Sequence, residues 1–203
     1  MNNEILDSNL EENTNKFKPR FGMIVFMIVA AAASRFLPHP PNFTPLGGMA
    51  LFGAAYFTKK YWAFLIPFAA LWFSDIILNN VVYAQYQEGF TLMPSYAIWT
   101  YVAFGAMILM GSQVLRKINI PTVVGASVAA SLLFFFITNF GAWYLDPFHM
   151  FADDISGLGV ALTAGLPFFW NTLAGDLVYV GAMFGGFEII KNVYPQFTLN
   201  TSK

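Results

Sequence analysis

Two carboxylates in apolar surroundings are the first residues to account for. Asp75 stands in WFSDIILNN and Asp176 in FWNTLAGDLVY. An ionisable group inside a membrane-crossing segment is costly and marks a route or site for a solute, ion or proton unless something neutralises it. Asn79 and Asn80 follow Asp75, Trp143 and Tyr144 follow Asn139, and Trp170 precedes Asn171. The stretch SRFLPHPPNFTPLGG at 34–48 adds Arg35, His39 and Asn42 among four prolines, Pro38, Pro40, Pro41 and Pro45. Amides and aromatics converging with a few charges are the chemistry of a pocket for a small molecule with a ring and polar edges.

Catalysis is not what these residues suggest. The chain has no phosphate-binding loop, no Ser–His–Asp set, no HExxH and no CxxC, and it has no cysteine at all. No nucleophile–base pair stands out, so the expectation is a non-enzyme. Asp146, His149, Asp153 and Asp154 share one connector but lack a metal-ligand spacing, so neither a metal nor another cofactor is expected. Each polar residue also has a structural alternative. Asp75 can pair with Arg35, asparagines can join helices, and span-end Trp and Tyr can anchor at the interface.

The elements that must position these residues are read from hydropathy. Of 203 residues, 57% are hydrophobic and 10% charged, against about 25% charged in a soluble domain. So few charges cannot cover a surface in water, and lipid is the natural solvent. A net charge of −1 gives no reason to expect nucleic acid as a partner. Stretches at 21–37, 62–79, 96–115, 121–140 and 166–187 approach or reach the roughly 20 apolar residues that cross a bilayer. A sixth, LGGMALFGAAYF at 46–57, is short.

If all six cross, Lys16, Lys18, Arg20, Lys59, Lys60, Arg116, Lys117, Lys191 and Lys203 fall on one side and Arg35 alone on the other, with Glu88, Asp146, Asp153 and Asp154. The positive-inside rule then predicts an all-α membrane protein of six transmembrane helices with both termini cytoplasmic. Residues 1–20 read as a polar cytosolic tail, 21–190 as the membrane domain and 191–203 as a second tail. A competing reading takes the basic start and AAAAS as a signal peptide cut near Ala33.

Taken from Pro45 to Thr58, the second span is only about 21 Å long. Either the bilayer thins there or the preceding loop dips inward, which is tolerated when buried in protein or lining a wet cavity. Thr44 before Pro45 reads as an N-cap and first helical residue, so the helix start offers free amides to an anionic or carbonyl group. Asp176, nine residues after Pro167, falls near mid-membrane and needs a partner, a proton or water. Residues 155–164 read as a short separate helix on the outer face, a possible lid. Small residues recur at 30–34, in the second span and in the pair Gly181/Gly185, spacings that permit close helix contact.

The segments RFLPHPPNFTPLGGMALFGAAYF, SDIILNN, TNFGAWY and LPFFWNTLAGDLVY resemble a family of uncharacterised bacterial membrane proteins described as putative transport proteins, over roughly residues 22–187. That family is similar to the substrate-binding (S) components of energy-coupling-factor (ECF) vitamin transporters. The resemblance implies a six-helix bundle in the bacterial inner membrane, with a pocket near the outer face gated by the loop between helices one and two, here 38–45. It also implies docking through Ala30, Ala31 and Ser34 onto a membrane coupling subunit with two ATPases.

The sequence reading therefore expects capture of a small vitamin-like solute from the outer side. Arg35 and His39 would lie near the hinge and Asn42 on the lid. Asp75 and Asn79 would form one wall, and Asn139, Trp143, Asn171 and Asp176 the other. Two rivals stand beside it: a proton-coupled carrier using Asp176, and a scaffold whose polar residues only pack helices.

Overall fold

A computed structural model describes residues 19–86, 89–94, 97–146 and 148–198. Lys16, Lys18, Glu88, Lys203 and most of the expected N-terminal tail lie outside these residues. Pro19 and Arg20, assigned above to the tail, are helical. Among the described residues six main helices make up the fold: α1 (Pro19–Phe36, ending in a 3-10 turn), α2 (Leu46–Tyr56), α3 (Lys60–Ile77, extended by a π turn to Val82), α4 (Ala97–Val114), α5 (Ile120–Leu145) and α6 (Ile155–Val193). Five of them are long and apolar enough to cross a membrane, and α2 is the exception.

The short helix is the axis of the bundle. Residues Leu46–Gly53 are all buried, on every face of α2. It packs against α3, α4, α5 and α6, and Arg20 of α1 reaches its last carbonyl, on Tyr56. A helix apolar all round is stable only where it is enclosed, and here the other five enclose it. Its 11 residues span about 16 Å, so α2 does not cross a bilayer alone; its length is set by the bundle interior. The sequence reading already took 46–57 as a short sixth segment, and the helix is indeed short, at 11 residues.

Helix directions alternate along the chain. Gly48 lies against Tyr179, Phe52 against Phe184, and Tyr56 against Glu188, so α2 and α6 run parallel. Ser131 meets Asp176 while Asn139 meets Gly165, so α5 and α6 run antiparallel. Arg20, Tyr56 and Lys191 gather at one end with Glu188, and Lys59 lines the same corner as Arg20 and Tyr56. The opposite end carries Arg35 and the proline loop.

A second correction concerns α6. Residues 155–164 are not a separate lid but the first turns of one continuous 39-residue helix, about 58 Å long. Pro167 sits inside it rather than at its start. The helix begins at Asp154, whose carboxylate accepts from the amides of Ser156 and Gly157 at 2.9 and 3.0 Å. This is a standard N-cap arrangement. Accepting also from the Ser156 hydroxyl, first, and then from the Gly157 amide holds the Asp154 carboxyl below its ordinary value.

Candidate functional site

A buried carboxyl group meets the start of α2. Asp176 of α6 is 2% exposed. Its Oδ1 accepts from the Gly47 amide at 3.0 Å, and its Oδ2 accepts from the Ser131 hydroxyl of α5 at 2.6 Å. The helix start does offer a free amide, on Gly47, but the group that meets it is the protein's own Asp176 carboxyl. Thr44 is not the cap: Pro45 holds the N-cap position and makes no side-chain cap hydrogen bond. Asp176 caps α2 from across the bundle, where it favours the positive end of the helix dipole. Arg20 sits at the other end of α2, donating to the Tyr56 carbonyl at 3.3 Å. A glycine is required at 47, because any Cβ there would fall on the Asp176 carboxylate.

The proline loop lies against α6, one residue from this aspartate. A Cβ on Gly175 would stand 3.0 Å from the Thr44 amide nitrogen. Pro45 is fully buried. The loop therefore dips into the bundle, one of the two outcomes the short second helix allowed. Asn171, one turn toward the start of α6, donates to the Pro41 carbonyl at 2.9 Å. Asn42 follows with a left-handed backbone, φ 62°, a conformation asparagine tolerates better than most residues. His39 turns its Nδ1 to the neighbouring Pro40 carbonyl at 3.0 Å.

Beneath the loop is a cavity of about 90 Å³. Asn42, Thr138, Asn139 and Thr172 give it polar edges, and Phe134, Phe135, Phe168 and Phe169 give it walls. One water needs about 10–15 Å³, so the space holds a handful of waters. Drug-sized ligands occupy about 300–1,000 Å³, so a vitamin would need the loop to lift. Larger hollows among the described residues, of about 340, 350 and 490 Å³, are lined mostly by apolar residues such as Val29 and Phe73, Phe140 and Leu162, and Val124 and Leu177.

The nine residues expected to share one pocket fall into separate groups. Asn42 and Asn139 meet at the cavity and Asn171 latches the loop beside it. Arg35 and Asp75 form an ion pair at 2.6 Å, 12% and 14% exposed. Arg35 also bonds the Ser74 hydroxyl, and Tyr101 donates to Asp75 at 2.8 Å. This is the structural pairing weighed for these two. Asn79 is buried on the π turn that extends α3. Trp143 donates its indole N–H to the Ala152 carbonyl at 2.9 Å and so fastens the 146–154 turn. Asp146 in that turn accepts from the amides of Met150 and Phe151.

Of the residues implied for docking, Ala30 is exposed, Ala31 is 8% exposed in the core, and Ser34 bonds the Tyr179 hydroxyl at 2.7 Å. Ser131, Thr138, Thr172 and Tyr101 were not singled out from the sequence, and Gly47 was read only as one of the small residues that allow close helix contact. The pair Ser127/Ser131, four apart on an apolar helix, is a signal that could have marked a polar face of α5.

No curated protein and no solved structure matches the chain. Residues 15–197 match DUF6580, a family of unknown function, and the chain belongs to that family.

Proposed function

We propose that the protein is a multi-pass protein of the bacterial inner membrane that captures a small, vitamin-like solute from the outer side. In this reading it serves as the substrate-binding component of an ECF-type importer, docked on a membrane coupling subunit with two ATPases. The basic residues gathered at the end where the described chain begins and finishes support, through the positive-inside rule, a reading with both termini in the cytoplasm. One observation carries the reading: a stiff proline loop dips into the bundle and is latched by Asn171 over a cavity with amide and hydroxyl edges. The importer assignment rests on the sequence resemblance.

Within this reading the solute meets Asn42, Thr138, Asn139 and Thr172. Arg35–Asp75 anchors the start of the loop to α3. Asp176 holds α2, α5 and α6 in register and does not touch the solute. The Asp176 bonds favour one rival, a scaffold in which the polar residues only join helices. A thermal-shift screen of the purified full chain against vitamins, their precursors and nucleosides separates the two. A solute at 100 times its Kd stabilises by about 2.7 kcal/mol. A broad screen on folded protein with no shift favours the scaffold.

A further inference from the structure

The cationic corner opposite the proline loop has chemistry of its own. Arg20 at the start of α1 spends one guanidinium N–H on the Tyr56 carbonyl and lies 5.9 Å over the Phe187 ring. Its Nε is buried without a hydrogen-bond partner. The same side chain lines a hollow of about 10 Å³ with Tyr56, Thr58, Lys59 and Trp62, room for a single oxygen-sized atom. Lys59 and Lys60, the residue after it at the start of α3, are exposed, and neither has a carboxylate in ion-pair distance among the described residues. The nearby Glu188 does not neutralise them, because it is held by Lys191 at 2.8 Å and by the Tyr56 hydroxyl at 2.6 Å. The corner thus has two exposed ammonium groups with no carboxylate in ion-pair distance among the described residues, an Arg20 guanidinium whose acidic neighbour Glu188 is already bonded to Lys191 and Tyr56, an orphan guanidinium donor and an indole at its rim.

Guanidinium and ammonium groups around a water-sized hollow suit a phosphate oxygen. Basic pockets between membrane helices on the cytoplasmic side bind anionic lipid headgroups, and Trp and Tyr mark the headgroup level. We infer that Arg20, Lys59 and Lys60 form a binding site for the phosphate of an anionic phospholipid, seated where α1 and α3 meet the C-terminal end of α2. The inference depends on the membrane placement and not on solute capture. Burial of the Arg20 donor against the last carbonyl of α2 links lipid binding to the helix on which the bundle is built.

The test uses full-length protein recovered from the membrane fraction, since recovery from the soluble fraction would refute the membrane placement itself. It is placed in nanodiscs of phosphatidylcholine with or without phosphatidylglycerol, and retained lipid and melting temperature are measured. Phosphatidylglycerol is expected to be retained selectively and to raise the melting temperature. Lys59→Gln and Lys60→Gln, both surface changes, should weaken retention about fivefold per charge removed, and Arg20→Gln should abolish the selectivity. The pair Arg116→Gln and Lys117→Gln, at the same end but away from the hollow, should leave it intact. Equal retention of both lipids overturns the site, as does an equal loss in the Arg116/Lys117 variant, which would show only diffuse attraction. A melting shift reproduced by millimolar inorganic phosphate would overturn the lipid as its ligand.

Discussion

The Gly47 amide donates to Asp176 Oδ1 at 3.0 Å, joining segments 129 residues apart. Asp176 also takes the Ser131 hydroxyl, so one carboxylate ties α2, α5 and α6 together. Asp176→Ala strands the buried Gly47 amide and leaves the Ser131 hydroxyl only the Ser127 carbonyl, and should destabilise by roughly 2–4 kcal/mol. Gly47→Ala drives a methyl into the carboxylate and should cost a comparable amount. In the Asp176→Ala background that cost should nearly vanish, because the clash is gone. Thermal unfolding of the four variants closes the cycle; strictly additive losses would show that the two residues do not act on each other.

Arg35 and Asp75 form a second, partly buried pair. Arg35→Ala leaves Asp75 with Tyr101 alone and should cost about 2–4 kcal/mol. Tyr101→Phe removes one hydrogen bond and should cost about 1 kcal/mol. Arg35→Gln combined with Asp75→Asn should cost less than the sum of the single changes. Urea or thermal midpoints measure this directly, and full additivity would mean the pair contributes nothing jointly.

The first turn of α6 is pH-sensitive through Asp154. Its folded-state carboxyl titrates below the ordinary value of 3.8, because the Ser156 hydroxyl and the Gly157 amide donate to the ionised form. The cap is therefore fully effective above the unfolded value and is lost as pH falls through the folded one. Proteolysis between 146 and 160 should speed up on that descent. Asp154→Ala should show the faster cleavage already at neutral pH, whereas Asp154→Asn, which can still cap, should not. Cleavage that ignores both pH and the alanine change would contradict the cap.

Asn171→Ala should change stability by less than about 1 kcal/mol, since the bond to Pro41 is solvent-exposed. It should nonetheless loosen residues 38–45, seen as faster amide exchange there and nowhere in α5. Unchanged exchange would mean the loop is held by its buried end at Pro45 alone.

Some of this architecture is readable in the residues and some is not. Asp176 stands out because a mid-span carboxylate demands a partner. That partner is a backbone amide on a distant helix, which leaves no mark on residue type. The brevity of Leu46–Tyr56 is plain, and its apolar faces on all sides fit burial at the axis, but hydropathy alone cannot distinguish an enclosed helix from a lipid-facing one. Pro167 reads as a helix start because proline favours first turns; inside a bundle, neighbouring helices accommodate it. The true start is encoded in Asp154 and Ser156, within a connector whose carboxylates read more readily as loop. Arg35 and Asp75 attract attention as site residues by their charge, and the same charge makes them each other's partner.

The central claim is that the loop at 38–45 covers a solute cavity open to the outer side. The chain has no cysteine, so a single Thr172→Cys places one thiol at the cavity wall, at a position 6% exposed. Its alkylation by a membrane-impermeant maleimide should be measured in intact cells and in inside-out vesicles. The account predicts slow labelling from outside only, accelerated by Asn171→Ala and suppressed by any solute that shifts the melting temperature. Labelling from the cytoplasmic face, or a rate that neither Asn171→Ala nor such a solute changes, would contradict it.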